Sequence, residues 1–205
     1  RLGVSSPTLS VASLGLNYSA AAGGGYMTLN PTVSRGLRML GATADDPERD
    51  GAPRSEFRKL GLSASYFYPL APSLYYLTSA YGQTSADNLY SGERISIGGQ
   101  SSVRGFKEQY LSGDVGGYLR NELNYTLLTL PVIGQVNSTL ALDGGWLKRD
   151  QQDPYGSGSL WGSAIGISTR NQTVSTQFTL GIPVSYPSYL APDHLNVYAR
   201  VTLVF

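Results

Sequence analysis

The residues of this sequence that could do chemistry are charged rather than nucleophilic. His194 is the single histidine and follows Asp193; one imidazole cannot build a two-histidine metal site, and the neighbouring pair reads as a surface feature. No Gly-x-Ser-x-Gly segment presents a serine nucleophile. The chain has no cysteine, which excludes disulfides and thiolate metal sites. No catalytic residue, metal or cofactor is therefore expected, and the chain does not read as an enzyme. What remains is a set of charges in unusual places. Lys59, Arg120, Glu122, Asp143 and Arg200 lie inside stretches that otherwise alternate apolar and polar residues. Arg104 stands in a glycine-rich run, Ile97-Gly-Gly-Gln-Ser-Ser-Val-Arg-Gly-Phe106. Charges in a packed core are costly unless paired, whereas on the inner wall of a wide barrel they would line water. Arg120 and Glu122, two apart on one strand, share a face, where they either line a conduit, support the loop through hydrogen bonds or are ordinary lumen charges.

The elements that must position these groups read as strands. Alternation with period two marks 9–20, 25–37, 57–70, 117–129, 135–148, 157–168, 173–182 and 195–205, and 74–84 reads as a further strand of less clear register. Pro31 cannot donate to a ladder and marks an irregular spot or an edge. Nine strands of ten to fourteen residues match the length a tilted strand needs to cross a bilayer, about nine to eleven, better than the five or six usual in soluble sheets. The connections alternate. Those at 38–55, 85–116, 149–156 and 183–193 are long, and those at 21–24, 71–73, 130–134 and 169–172 are short. Long loops on one rim with short turns on the other is the pattern of an outer-membrane barrel. The stretch 85–116 is the longest without clean alternation. Gly98, Gly99 and Gly105 let it fold back on itself, and Val103, Phe106 and Tyr110 give it apolar anchors.

Composition narrows the classes. Only 14% of residues are charged while Gly numbers 25 and Tyr 15, which suits many strands and turns and not disorder. A net charge of +1 gives no bulk field for nucleic acid, and the 45–51 charge run reads as a solvated face. No apolar run of about 18 residues marks a transmembrane helix, which says nothing against a barrel. The fold class is therefore all-β, a transmembrane antiparallel β-barrel. An odd strand number leaves open edges, and single-chain bacterial barrels are even, so 1–205 is expected to be the C-terminal part of a larger barrel.

Val103-Arg104-Gly105-Phe106 resembles the signature loop of the outer-membrane superfamily of barrel-assembly insertases and two-partner secretion (TpsB-type) transporters. Ser96-Ile-Gly-Gly99, Tyr118-Leu-Arg-Asn-Glu-Leu123, Leu142-Asp-Gly-Gly145 and a terminal Phe205 match in the same order. The resemblance implies a barrel of sixteen strands in the outer membrane of a Gram-negative bacterium. It also implies periplasmic POTRA domains and first strands that this chain does not contain. The 85–116 loop would fold into the lumen, where Arg104 meets Asp143 on the wall. With a wet lumen, losing either partner is expected to cost about 1–3 kcal/mol. Val201, Leu203 and Phe205 would form the signal read by the barrel-assembly machinery. The implied function is export of an unfolded partner polypeptide, driven by its folding outside. The implied partners are that polypeptide, outer-membrane lipid and the assembly machinery, with no nucleic acid. An assembly insertase of the same superfamily and a passive porin remain the alternatives.

Overall fold

The computed structural model describes residues 7–45, 51–148 and 156–203. These form β1 (Ser10–Gly15), β2 (Tyr18–Ala22), β3 (Gly25–Leu37), β4 (Arg58–Ala71), β5 (Leu74–Ser85), β6 (Ile95–Ile97), β7 (Leu111–Gly113), β8 (Gly116–Leu130), β9 (Gly134–Leu147), β10 (Gly158–Arg170), β11 (Val174–Ser185) and β12 (Asn196–Leu203). All but β6 and β7 join one antiparallel sheet in the order β1-β3-β4-β5-β8-β9-β10-β11-β12, with β2 also on β3. Sequence neighbours therefore pair throughout, as in a meander. Among the described residues, β1 and β12 do not pair, so the sheet is open.

The expected first strand is present but interrupted. Leu14 faces Val33 and Tyr18 faces Leu29 in one unbroken alignment. Between them the Leu16 N–H donates to the Pro31 carbonyl at 3.1 Å. Pro31 has no N–H to return the bond, so β1 and β2 are two halves of a single crossing. The expectation of a loop from 183 needs correction, since β11 runs through Pro183 to Ser185. Pro183 is tolerated there because the β12 ladder stops at Gly181 opposite Asn196. On the β10 side a register shift at Trp161/Gly162 absorbs it.

The two faces differ as a membrane wall requires. Leu60, Leu62, Leu119, Leu123, Leu140, Leu142, Ile165, Ile167, Val201 and Leu203 project from one face and are exposed. With a rise of about 3.3 Å per residue, strands of 12–15 residues such as β5 and β8 cross a hydrocarbon layer of about 30 Å when tilted. Tyr68 and Tyr125 mark this face towards the short turns, and Trp146 and Trp161 mark it towards the long loops, as interfacial aromatics do. Among the described residues, no helix is long and apolar enough to cross a membrane. Lys59, Arg120, Glu122 and Asp143 occupy the opposite face, and the long loop packs over it. That loop is not irregular throughout. Ser91–Glu93 form one 3₁₀ turn, and Ile95–Ile97 pairs with Leu111–Gly113, so the 85–116 stretch holds a small hairpin that its short alternation did not disclose.

Candidate functional site: the Arg104 loop on the charged wall

The hairpin of β6 and β7 exists because its apolar residues have a core to enter. Ile95, Ile97, Val103, Phe106 and Leu111 pack with Leu147 of β9 and Leu160 of β10, and Tyr81 and Tyr118 lie alongside. Phe106 also meets Tyr186 edge to face, with ring centres 6.0 Å apart. Tyr110, expected as a third anchor, is 62% exposed and does not anchor the loop. From this base the chain turns sharply. Gly98 and Gly99 have φ of 117° and 99°, Gly99 N–H donates to Val103 O at 3.0 Å, and the Ser102 hydroxyl accepts from Gly98 N–H at 2.9 Å. The tip at Arg104 is thus held by its own turn before it meets the sheet.

Arg104 reaches the wall completely. Its Nε donates to Asp143 Oδ2 at 2.6 Å and its Nη2 to Asp143 Oδ1 at 2.7 Å, a two-point contact that only a guanidinium makes. The Arg104 backbone N–H adds a third bond to Asp143 Oδ2 at 3.1 Å. Nη1 turns to Glu122 Oε1 at 2.8 Å. Glu122 Oε1 also accepts from Arg120 Nη2 at 3.0 Å, and Arg120 Nη1 reaches the Ser101 carbonyl at 3.4 Å. Two cations and two carboxylates thus balance in one cluster. Arg104 is 2% exposed and Asp143 is fully buried, so this contact is shielded from solvent rather than hydrated as expected. Burial by itself works against the charge on Arg104. The bonds and charge of Asp143, then Glu122, outweigh it and hold the guanidinium pKa above its ordinary value.

Close approach depends on glycines in the wall. A Cβ at Gly162 of β10 would overlap the Arg104 carbonyl. Gly105, at φ 101°, leaves 2.6 Å between a built Cβ and the Ile182 backbone. The tip is also tied to the last strand. Asn196 Nδ2 donates to Gly105 O at 2.7 Å, its Oδ1 accepts from Lys107 N–H at 3.2 Å, and Tyr198 Oη accepts from Gly105 N–H at 3.3 Å. Alternation puts Asn196 and Tyr198 on the polar face of their strand but does not disclose this role, because it says which way a side chain points and not what lies above it. Farther back, Lys59 pairs with Glu93 at 2.5 Å and Arg94 with Asp114 at 3.0 Å. Gln83 Nε2 donates to Glu93 O at 2.9 Å. The loop is therefore fastened from β4 to β12.

Val201 and Leu203 sit exposed on the apolar face, and Phe205 lies outside the described residues. His194 is exposed. Among the described residues, no group of three His, Cys, Asp or Glu side chains could hold a metal.

Comparison with known proteins places this arrangement. Residues 1–169 match the family described as haemolysin secretion/activation protein ShlB/FhaC/HecB. Over 201 residues, 98% of its length, the chain is 52% identical to an outer membrane transporter CdiB of Escherichia coli O6:K15:H31 (strain 536 / UPEC). It is 50% identical, over the same share, to the CdiB of Dickeya dadantii (strain 3937). Its structure superposes on CdiB from Escherichia coli with a TM-score of 0.92 at 51% identity, covering 98% of this chain and 38% of that one. The chain spans about a third of the curated relatives it matches, 34% and 36% of their lengths.

Proposed function

Because this chain belongs to the haemolysin secretion/activation family of outer-membrane transporters, we propose that its sheet walls a pore that exports an unfolded partner polypeptide, with the Arg104 loop as the gate. The chain carries the fold of an outer-membrane barrel, and transporters of this class act with a secreted protein. The supporting observation is the buried contact of Arg104 with Asp143 and Glu122. A loop that only decorated a pore would not need a shielded, two-point ion pair at its tip. A buried pair is costly to assemble and costlier to break by halves, which gives two discrete states, docked and released. Nothing in the comparisons favours the insertase or the porin. Val201, Leu203 and Phe205 keep the proposed role of an assembly signal.

The chain has no cysteine, so a disulfide lock tests the gate. A Cβ at Gly145 would lie 3.1 Å from Val103 Cγ2, and Val103→Cys with Gly145→Cys would join tip to wall. In the full-length transporter, oxidation should lower secretion at least tenfold and reduction should restore it. Secretion unchanged by a verified lock would show that the loop does not gate.

A further inference from the structure

On the apolar face, at the rim of the long loops, two arginines stand directly opposite each other. Arg35 of β3 pairs in register with Arg58 of β4. The next pair towards the membrane on the same face is Val33 and Leu60, both exposed. Like charges directly opposite on a sheet are destabilising. Both side chains are exposed, and neither guanidinium forms a salt bridge among the described residues. The carboxylate of Asp87 is nearby, but its Oδ2 accepts the Arg58 backbone N–H at 2.9 Å. The pair therefore presents two unneutralised cations where the hydrocarbon band ends.

Immediately below lies an apolar groove of about 870 Å³. Leu60, Gly82, Leu119, Gly144, Trp146 and Trp161 are among the residues that line it. Every one of these residues lies towards the long-loop end of its strand. Lys148, two residues beyond Trp146, is also exposed. A cationic rim above a greasy slot is complementary to one kind of molecule, an acyl lipid with a phosphorylated headgroup.

We propose that this face binds a phosphorylated glycolipid of the outer leaflet, its phosphate on Arg35 and Arg58 and an acyl chain in the groove. The inference rests on the reading that the long-loop rim is extracellular. Phosphate between the two guanidiniums replaces repulsion by two-point contacts of the kind arginine makes best. The groove is open where Gly82 omits a side chain, whereas Gly144 lies under the Trp161 ring, 2.9 Å from a built Cβ. At Gly82 a Cβ would meet only the Gly116 carbonyl, at 3.8 Å, so the space there is open and a larger residue would fill it.

The test uses the full-length transporter in detergent, with lipid retention read by native mass spectrometry and thermal stability followed in parallel. The probes are lipid A, phosphatidylglycerol, phosphatidylcholine and inorganic phosphate. Lipid A should be retained and should raise the melting temperature. Arg35→Gln with Arg58→Gln should weaken retention roughly tenfold or more, as expected for lost charged hydrogen bonds. Gly82→Leu should weaken it with the arginines intact. Without lipid, Arg58→Glu should make the protein more stable than wild type, since it turns a repulsive pair into an attractive one. Equal retention by the double Gln variant, or protection by inorganic phosphate alone, would overturn the site. Preference for phosphatidylglycerol over lipid A would overturn the outer-leaflet occupant while leaving the secretion reading standing.

Discussion

At the scale of single residues, the decisive fact is that Arg104 and Asp143 meet shielded from solvent. Removing Arg104 leaves Asp143 buried without its cation, a loss of about 3–5 kcal/mol rather than the smaller one expected of a hydrated contact, while removing Asp143 leaves Arg104 with Glu122 alone and should cost less. Arg104→Ala and Asp143→Ala should each release the loop, as a spin label at Ser101 would report. Arg104→Lys should fail almost as badly, because an ammonium cannot span both carboxylate oxygens. The double Ala variant should be little worse than either single one, and fully additive losses would show that the two act separately. That Asp143 points inward was legible from alternation, and that the loop meets it there came from the family resemblance. That Gly162 must be glycine was legible from neither, since only the Arg104 carbonyl pressed against it makes a Cβ impossible. A second residue acts by pH. Burial would raise the Asp45 pKa, but N–H bonds from Ser55 at 2.5 Å and Glu56 at 3.2 Å, the Ser55 hydroxyl at 2.8 Å and nearby Arg54 lower it overall. A depressed carboxylate gives stability that is present above its unfolded value of about 3.9 and lost as pH falls through the lower folded value. Proteolysis of the 38–57 connection should therefore rise below about pH 4, and Asp45→Asn should remove much of that pH dependence.

At the scale of elements, β12 carries more than its own ladder. Its first residue, Asn196, holds both Gly105 O and Lys107 N–H, and Tyr198 holds Gly105 N–H. The edge strand and the loop tip are thus one mechanical unit, and undocking the loop frees the long-loop end of β12. Asn196→Ala would strand the buried Gly105 carbonyl and release the Lys107 N–H, a loss of about 1–3 kcal/mol. Amide exchange at 196–198 and 103–107 should then quicken about tenfold or more, with β8 and β9 unchanged. Acceleration confined to 103–107 would show that the strand does not sense the loop. This coupling was hidden in the sequence for a physical reason. Period two fixes which face a residue occupies, and it placed the long crossings well because membrane strands alternate over many residues. It has no power over three-residue strands such as β6 and β7, whose pairing is dictated by the cluster around Ile97 and Leu160. It also misjudged Pro183, whose place depends on where the neighbouring strand ends.

At the scale of the molecule, every long connection leaves from one end of the sheet and every short turn from the other, and that asymmetry sets the expected orientation. The docked loop, the tryptophans and the Arg35–Arg58 pair gather at the long-loop rim. Two open edges, β1 and β12, carry unpaired backbone groups that hydrocarbon does not tolerate, so in the membrane they require strand partners. A secretion pore whose gate is entered from the periplasm should release its substrate at the rim where the long loops stand. In whole cells, cysteines at Ala44 and Ser188, both exposed on long connections, should therefore react with a membrane-impermeant maleimide. Cysteines at Ala71 and Asn171, exposed on the short-turn side, should react only after the outer membrane is opened. The arrangement is all or none, because adjacent strands run antiparallel throughout the sheet. Labelling of Ala71 or Asn171 in intact cells would invert the whole barrel, placing the Arg104 loop at the periplasmic entrance and the arginine pair in the phospholipid leaflet.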